Sequence, residues 1–478
     1  MNMNLVMPSI YPVACHTDNV GHDSTFVAIK GQREDGTRYI IDALQKGAST
    51  IVIEDDVLLP DEILGAIDVA QAEVVRVANS RLALAQLSAQ AANYPARKLR
   101  ILAVTGTKGK TTSSFLLEHI LRNAGYKTAL LSTVKNKIGN QEFKTNLTTQ
   151  HPDYLHNFFA LCVDAQVEYV IMEVAAQATS LHRSAGLAFD GLIFTNFDQE
   201  HAEFYPSMQE YFAAKVALID QLKRGAPLLF NADDAWVGPL ARHYQGSLQF
   251  GIATDDVDYH TTICGNTLDK LELVITNKKK SYNFECPSLI GAYNAYNVLG
   301  VVALCKEIGL SDQQIAQGLS SFVAVPGRLE RYALPNGASC FIDYAHNPSS
   351  YQAVLSMMRS LTDNLIVVFG AGGARDKTKR PVMGAVAAQI ADVVILTSDN
   401  PRTEDPQMIV QDILAGISED NMHKVICDLD REQAIKKAYA QSKAGSVIML
   451  LGKGPDEYQI IGDKKTYFSE SAIVKELV

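Results

Sequence analysis

The sequence predicts an α/β protein of three successive domains. Three observations carry this reading. Strand-like apolar runs alternate with stretches of helical spacing, two proline-containing breaks divide the chain, and 478 residues at roughly 100–200 per domain make about three domains. The expected boundaries are 1–98, 99–325 and 326–478, giving a small N-terminal α/β unit, a central parallel-sheet unit and a C-terminal unit of dinucleotide-fold type.

In the first segment, runs at 25–29 and 50–53 read as strands, and 39–44 and 82–91 have helical spacing. Tyr94-Pro95-Ala96-Arg97 is a linker candidate, because proline disfavours helix at the residue before it. A strand at 101–104, a glycine-rich turn and a helix over 110–123 follow, with Gly125 as the helix stop. Further apolar runs at 129–131, 169–172, 192–195 and 228–230 alternate with helical patterns, which implies a mainly parallel sheet covered on both faces. After Val325-Pro326-Gly327 the alternation restarts, with strands expected at 340–343, 365–369, 393–396, 425–427 and 447–451. No GxGxxG fingerprint accompanies this second open sheet.

Bulk properties exclude several classes. A composition of 47% hydrophobic and 20% charged residues is that of a globular protein. The net charge of −10 argues against non-specific nucleic-acid binding, which needs clustered cations. The seven cysteines are scattered without CxxC spacing and read as buried free thiols in a reducing cytoplasm. Neither a secretory signal nor a membrane span is expected, because no basic region leads into an apolar stretch and no run of about 18 apolar residues occurs.

The sharpest motif is Thr105-Gly106-Thr107-Lys108-Gly109-Lys110-Thr111-Thr112. It lies between a strand and a helix, the context a phosphate-binding loop requires. Glycines let the backbone aim N–H groups at phosphate oxygens, and the helix start adds positive charge. Lys110 is placed to reach the β- and γ-phosphates and Thr111 to ligate Mg²⁺. Gly106 precedes Gly109 by three positions, one fewer than the general pattern, and no guanine-reading NKxD motif follows. Glu173 ends an apolar run, where a carboxylate suits a Mg²⁺ ligand, although a surface glutamate fits the spacing too. Taken alone, His201 reads as a structural imidazole and Lys215 as an exposed lysine.

Several segments in order resemble the Mur ligase family, MurE type. They are the phosphate loop, Glu173, His201 after Thr195-Asn196-Phe197, and Lys215 in Ala213-Ala214-Lys215. Next come Gly291 to Asn297 as GxxNxxN, Val325 to Glu330 as the VPGRxE hinge, and Asp343-Tyr344-Ala345-His346-Asn347-Pro348. Gly372-Gly373-Ala374-Arg375-Asp376 with Lys379-Arg380-Pro381, and Asp399-Asn400-Pro401-Arg402, complete the series. These segments run from Thr105 to Arg402, and the resemblance as a whole covers roughly 25–470.

The resemblance implies an ATP-dependent ligase that forms an acyl-phosphate and then an amide. ATP would contact Gly106 through Thr112, including Thr107, Lys108, Gly109, Lys110 and Thr111, with Asn297, Arg328 and Asp343. Two Mg²⁺ ions are implied, with Thr111, Glu173, His201 and a carbamylated Lys215 as ligands. Lys110, Lys215, His201 and His346 are the implied catalytic set. Thr148, Thr149 and Arg183 would meet a UDP-N-acetylmuramoyl dipeptide acceptor, and Arg375, Asp399, Asn400, Arg402, Gly452 and Asp456 the incoming amino acid. A cytoplasmic monomer is expected.

The DNPR form resembles enzymes that add meso-diaminopimelate. Arg402 offers a planar fork to the distal carboxylate that lysine lacks. Other segments depart from the family. Pro455 and Asp456 stand where GKGHE is expected, Ala175-Ala176 replace two serines, and His16-Thr17-Asp18 replace DSR. Gln150-His151 lengthen the LTTP loop at Leu147-Thr148-Thr149. Alternatives therefore stay open: a lysine-adding enzyme, a relative with a modified acceptor, a folylpolyglutamate-type ligase, or a non-catalytic ATP-binding module.

Overall fold

The computed structural model describes residues 5–31, 34–199, 204–278 and 280–478. His201 lies outside them. The chain divides into two units, one of residues 1–263, 273–284 and 292–321, the other of 264–272, 285–291 and 322–478.

The first unit begins with a four-stranded parallel sheet of Val13–Ala14, Thr25–Val27, Thr50–Glu54 and Glu73–Val77. Helices Ile40–Gln45, Asp61–Ala70 and Ser80–Ala91 complete it. A larger sheet follows. Its parallel centre runs Leu228–Asn231, Gly191–Phe194, Arg100–Thr105, Tyr169–Glu173 and Thr128–Leu131. Every residue of Gly191–Phe194, Tyr169–Glu173 and Leu228–Asn231 is buried, as expected of strands covered on both faces. One cover is the helix Ala292–Glu307, apolar nearly all round because it lies inside the unit.

This sheet is wider than the apolar runs predict. Antiparallel strands Asn136–Ile138 and Gln141–Phe143 extend one edge. Leu248–Gly251, Tyr259–Asn266, Leu271–Asn277 and Lys280–Cys286 extend the other. They escape sequence reading for a physical reason. In Leu271–Asn277 buried and half-buried residues alternate, so polar side chains break up the apolar run.

The second unit holds a six-stranded sheet ordered Glu330–Ala333, Ser339–Asp343, Val447–Leu451, Leu365–Phe369, Val393–Leu396 and Val425–Cys427. Glu330–Ala333 pairs antiparallel and the remaining pairs are parallel. Asp343 pairs with Leu451, Leu451 with Phe369, and Phe369 with Leu396. Four adjacent strands thus end level, and their loops open on one edge.

Two arginines are buried inside this unit. Arg431 starts the helix Arg431–Gln441 and is wholly buried. Its Nε donates to Glu470 Oε1 at 2.8 Å, Nη2 to Leu451 O at 2.8 Å and Nη1 to Ser398 O at 3.2 Å. Arg380 is likewise buried and donates to Glu404 and Asp412. The cysteines are free, but Cys264 and Cys427 are exposed and Cys15 is half-buried, so the expectation of buried thiols holds for Cys162, Cys286, Cys305 and Cys340. Among the described residues no helix is long and apolar enough to cross a membrane.

Removing one partner of a buried ion pair strands the other charge. Arg431→Met should therefore lower the free energy of unfolding by about 3–5 kcal/mol, read from urea titration.

Candidate active site

In the first unit the phosphate loop joins Arg100–Thr105 to the helix Lys110–Asn123. Gly109 takes φ +83° immediately before the helix, and a Cβ there would come within 2.2 Å of Asn297 Oδ1. Backbone freedom and close approach both require glycine. The loop is tied to the neighbouring strand end. Thr107 N donates to Asn196 O at 2.9 Å, Lys108 N to Asn196 Oδ1 at 2.8 Å, and Thr195 Oγ1 to Lys108 O at 2.7 Å. Lys110 Nζ folds onto Gly106 O at 2.8 Å and Thr107 O at 2.9 Å. Lys108 pairs with Asp198 at 2.8 Å. Thr112 lies in the first turn of the helix.

Glu173 is fully buried, not a surface carboxylate. Thr111 Oγ1 donates to its Oε2 at 3.1 Å, Thr133 N donates to Oε1 at 3.1 Å, and the Thr133 hydroxyl lies 3.0 Å from Oε2. Strand register explains the meeting, because Glu173 sits opposite Val104, two residues before Gly106. Lys215 is also buried rather than exposed, and its Nζ donates to Gly106 O at 2.7 Å. Asn297 Oδ1 accepts from Ser113 Oγ at 3.4 Å and its Nδ2 donates to Asn294. A hydroxyl, a carboxylate and a buried lysine thus surround the loop. The Thr111 hydroxyl and the Glu173 carboxylate are hard oxygen donors of the kind that fit Mg²⁺.

Beside Glu173 lies a cavity of about 220 Å³ lined by Thr133, Thr148, Thr149, Ala175, Gln177 and Arg183, among others. Thr148 Oγ1 is 3.1 Å from the Thr133 hydroxyl. Thr149 Oγ1 donates to Glu173 O at 3.0 Å, and Arg183 Nη1 donates to Thr149 O at 2.9 Å. Among the described residues Arg183 Nε is buried with no hydrogen-bond partner.

In the second unit the candidate residues gather at the level strand ends. Asp343 accepts from Ala345 N at 2.8 Å and Leu329 N at 2.9 Å. Burial raises its pKa, opposed by Arg328. The Arg328 guanidinium stacks 4.7 Å over the Tyr344 ring, and the exposed His346 ring packs edge-on against the same tyrosine at 4.9 Å.

Arg402 occupies φ +51°, which costs a non-glycine residue about 1–2 kcal/mol. Its Nη1 donates to Gly373 O at 2.9 Å, while Gly373 N donates to Asn400 O at 2.9 Å. A Cβ on Gly373 would come 1.8 Å from Pro401 O, so only glycine permits this crossing. Arg375 is exposed, and a Cβ on Gly372 would touch both Arg402 and Arg375. Asp399, Asn400 and Gly452 also converge here, with Gly452 N donating to Asp343 O at 3.1 Å. Burial raises the pKa of Asp456, opposed first by its bond with Tyr458.

Sequence reading missed the ions beneath these loops. Arg380 forks onto Glu404 at 3.0 and 3.2 Å and also donates to Gly372 O. Glu404 further accepts from Ala374 N, and Arg380 above all holds its pKa down from the ordinary 4.5 to about 2. Lys453, fully buried, faces Asp399 at 3.4 Å and Asn400 at 3.5 Å. One sequence signal existed: Lys453 is a charged residue between two glycines at the end of a five-residue apolar run.

Comparison with known proteins defines the class. A model of the Mur ligase middle domain matches residues 104–305, and one of the Mur ligase glutamate ligase domain matches 327–454. A UDP-N-acetylmuramoyl-L-alanyl-D-glutamate–2,6-diaminopimelate ligase from Clostridium botulinum is 34% identical, covering 100% of this chain and 99% of its own. The protein of the same description from Parabacteroides distasonis is 36% identical over 95% and 91%. A solved structure of such a ligase superposes with a TM-score of 0.68 at 25% identity, covering 100% and 96%. The chain belongs to the Mur ligase family. It is an ATP-dependent, ADP-forming acid–amino-acid ligase, and its resemblance runs to the diaminopimelate-adding branch.

Two outcomes follow. Gly109→Ala should weaken binding of a fluorescent ATP analogue by about tenfold or more, given the cost of positive φ and the clash with Asn297. Because the folded-state pKa of Glu404 is depressed, its pairing favours folding above pH 4.5 and is lost as pH falls towards 2. The stability gap between wild type and Glu404→Gln should be flat at neutral pH and shrink across that window in acid-unfolding curves.

Proposed function

We propose that this chain joins meso-2,6-diaminopimelate to the glutamyl carboxylate of UDP-N-acetylmuramoyl-L-alanyl-D-glutamate in peptidoglycan precursor synthesis. The observation that carries the amino-acid assignment is Arg402, strained into a loop with Asp399 and Asn400. Among the described residues its side-chain hydrogen bonds run through Nη1, so Nε and Nη2 keep donors for a distal carboxylate. Asp399 and Asn400 supply oxygens for the distal amino group. The names of the relatives described above agree. The three segments 1–98, 99–325 and 326–478 are read as acceptor-binding, ATP-binding and amino-acid-binding domains.

In this reading the acceptor lies along Thr148, Thr149 and Arg183. Backbone N–H groups of Gly106 to Thr112 and the start of the helix Lys110–Asn123 hold the ATP phosphates, and Lys110 swings from its loop carbonyls to the β- and γ-phosphates. Thr111, Glu173, His201 and Lys215 as a carbamate would hold two Mg²⁺ ions. Bound there, the metal supplies charge neutralisation across the β- and γ-phosphates. The acceptor carboxylate attacks the γ-phosphorus, the bond to the bridging oxygen breaks, and ADP leaves. The amine of the amino acid then attacks the acyl carbon, and the tetrahedral intermediate expels phosphate and leaves an amide. Asn297, Arg328 and Asp343 bind the nucleotide, and His346 stands with Tyr344 beside Arg328 to orient the reacting groups. The seven free cysteines suit a cytoplasmic setting. The protein is read as a monomer, with no role for nucleic acid or membrane.

Phosphate release from ATP with the UDP-linked acceptor tests the reading, with diaminopimelate and L-lysine compared. Diaminopimelate should be preferred, and Arg402→Ala should cut kcat/KM for it by about 10- to 100-fold, the scale of a lost charge-assisted pair. Preference for lysine would overturn the assignment of Arg402. Turnover with a folate and glutamate in place of these substrates would overturn the acceptor.

A further inference from the structure

Lys453 is a buried ammonium at the edge where the amino-acid residues converge. Burial of such a group disfavours its charge, and the lowered pKa of Lys453 follows from burial, opposed first by Asp399. Its partners are the Asp399 carboxylate and the Asn400 amide oxygen, with the Phe468 and Tyr458 rings 5.6 and 5.8 Å away. If loop 399–402 shifted, the buried ammonium would lose both of its hydrogen-bond acceptors, with only the longer-range charges of Glu470 and Asp456 left to offset its burial. The lysine therefore penalises every other position of the loop.

A second element braces the same loop. Strands Tyr458–Ile461 and Lys464–Tyr467 form a hairpin that follows Lys453 in the chain. Gln459 Nε2 donates to Asp399 O and Ile460 N to Asn400 Oδ1, both at 2.9 Å. Arg402 N donates to Ile460 O at 3.0 Å, and Gly462 N donates to Arg402 O at 2.8 Å. These bonds hold Arg402 at its positive φ. A two-stranded hairpin is marginal alone, so loop and hairpin order each other.

We infer that Lys453 is a positioning residue for the amino-acid reader: its ammonium, with the 458–467 hairpin, sets where Asp399 and Asn400 stand and so governs affinity and selectivity for the incoming amino acid. This rests on the reading that loop 399–402 binds that amino acid. Lys453 acts through Asp399 and Asn400 and is not a catalytic residue.

The test measures KM for ATP, acceptor, diaminopimelate and L-lysine in the full-length enzyme, with thermal midpoints, for wild type, Lys453→Met, Gln459→Met and Arg402→Ala. Lys453→Met should raise KM for diaminopimelate by about tenfold, the scale of one charged hydrogen bond, with KM for ATP and acceptor within about twofold. Gln459→Met, a change at a half-buried position, should move the same constant in the same direction by less, and it carries the test if Lys453→Met does not fold. An amino-acid KM unchanged in both variants overturns the inference, as does a parallel rise in all the constants with a fall in midpoint. If Arg402→Ala shifts selectivity while Lys453→Met does not, the reader stands and the lysine's role is wrong. If Lys453→Met moves the amino-acid KM and Arg402→Ala leaves selectivity unchanged, the lysine's role stands and the recognition of the distal carboxylate by Arg402 fails.

Discussion

The level ending of parallel strands is the constraint on which the candidate site depends. In the second unit Asp343, Leu451, Phe369 and Leu396 sit in one register, so the loops beginning at Tyr344, Gly370, Thr397 and Gly452 emerge together. In the first unit Thr105 lies opposite Phe194, and Val104 opposite Glu173. The phosphate loop, the buried carboxylate and the Thr195-Asn196 anchor therefore share one edge. A slip of one residue would send each strand's side chains to the opposite face and separate Thr111 from Glu173. Ligand sites at the carboxyl ends of parallel strands follow from this geometry before any particular side chain is considered.

Register delivers the loops but does not fix their shape. The phosphate loop is held by backbone groups: its N–H groups meet Asn196, and Lys108 O accepts from Thr195 and Asn196. The loops proposed to read the amino acid, 370–376 and 399–405, use ions instead. Arg380 draws Gly372, Glu404 and Asp412 together, and Arg431 joins Ser398, Leu451 and Glu470. Each guanidinium is taken wholly out of water, which is tolerable because Arg431 Nε, Nη1 and Nη2 and both Arg380 Nη groups find carboxylates or carbonyls, while Arg380 Nε has no partner among the described residues.

What was legible in the sequence follows from the range of the interactions. Gly109-Lys110-Thr111 could be read because strand, turn and helix are consecutive and glycine has a local reason to be there. Asp399-Asn400-Pro401-Arg402 was legible as a motif. Its strained φ and its bracing by the hairpin were not, because the partners lie about 60 residues on. Lys453 and Arg380 were missed for the same reason: Asp399 is 54 residues from the first, and Asp412 is 32 from the second. Lys215 illustrates the limit. Its helix reads as apolar with one stray cation, and only the fold shows that cation beneath the phosphate loop. The edge strands over 259–286 were invisible because half their residues face water.

Buried charge beneath open loops has a physical logic. A loop that binds a charged amino acid must keep polar groups at its surface, so it cannot be ordered by apolar packing from that side. Rigidity has to come from below, through interactions strong enough at short range to select one conformation. Apolar contacts are non-directional and would tolerate sliding of Asp399 or Arg402 by an ångström. A buried guanidinium or ammonium does not tolerate it, since each displaced acceptor leaves an unpaired donor in a low-dielectric interior. The 370–376 and 399–405 segments are cross-bonded to each other through Gly373, Asn400 and Arg402 and pinned below by Arg380. Lys453 completes the same scheme on the side of Asp399. In the proposed reading, specificity is carried by residues that meet the amino acid, and precision by residues that never touch it.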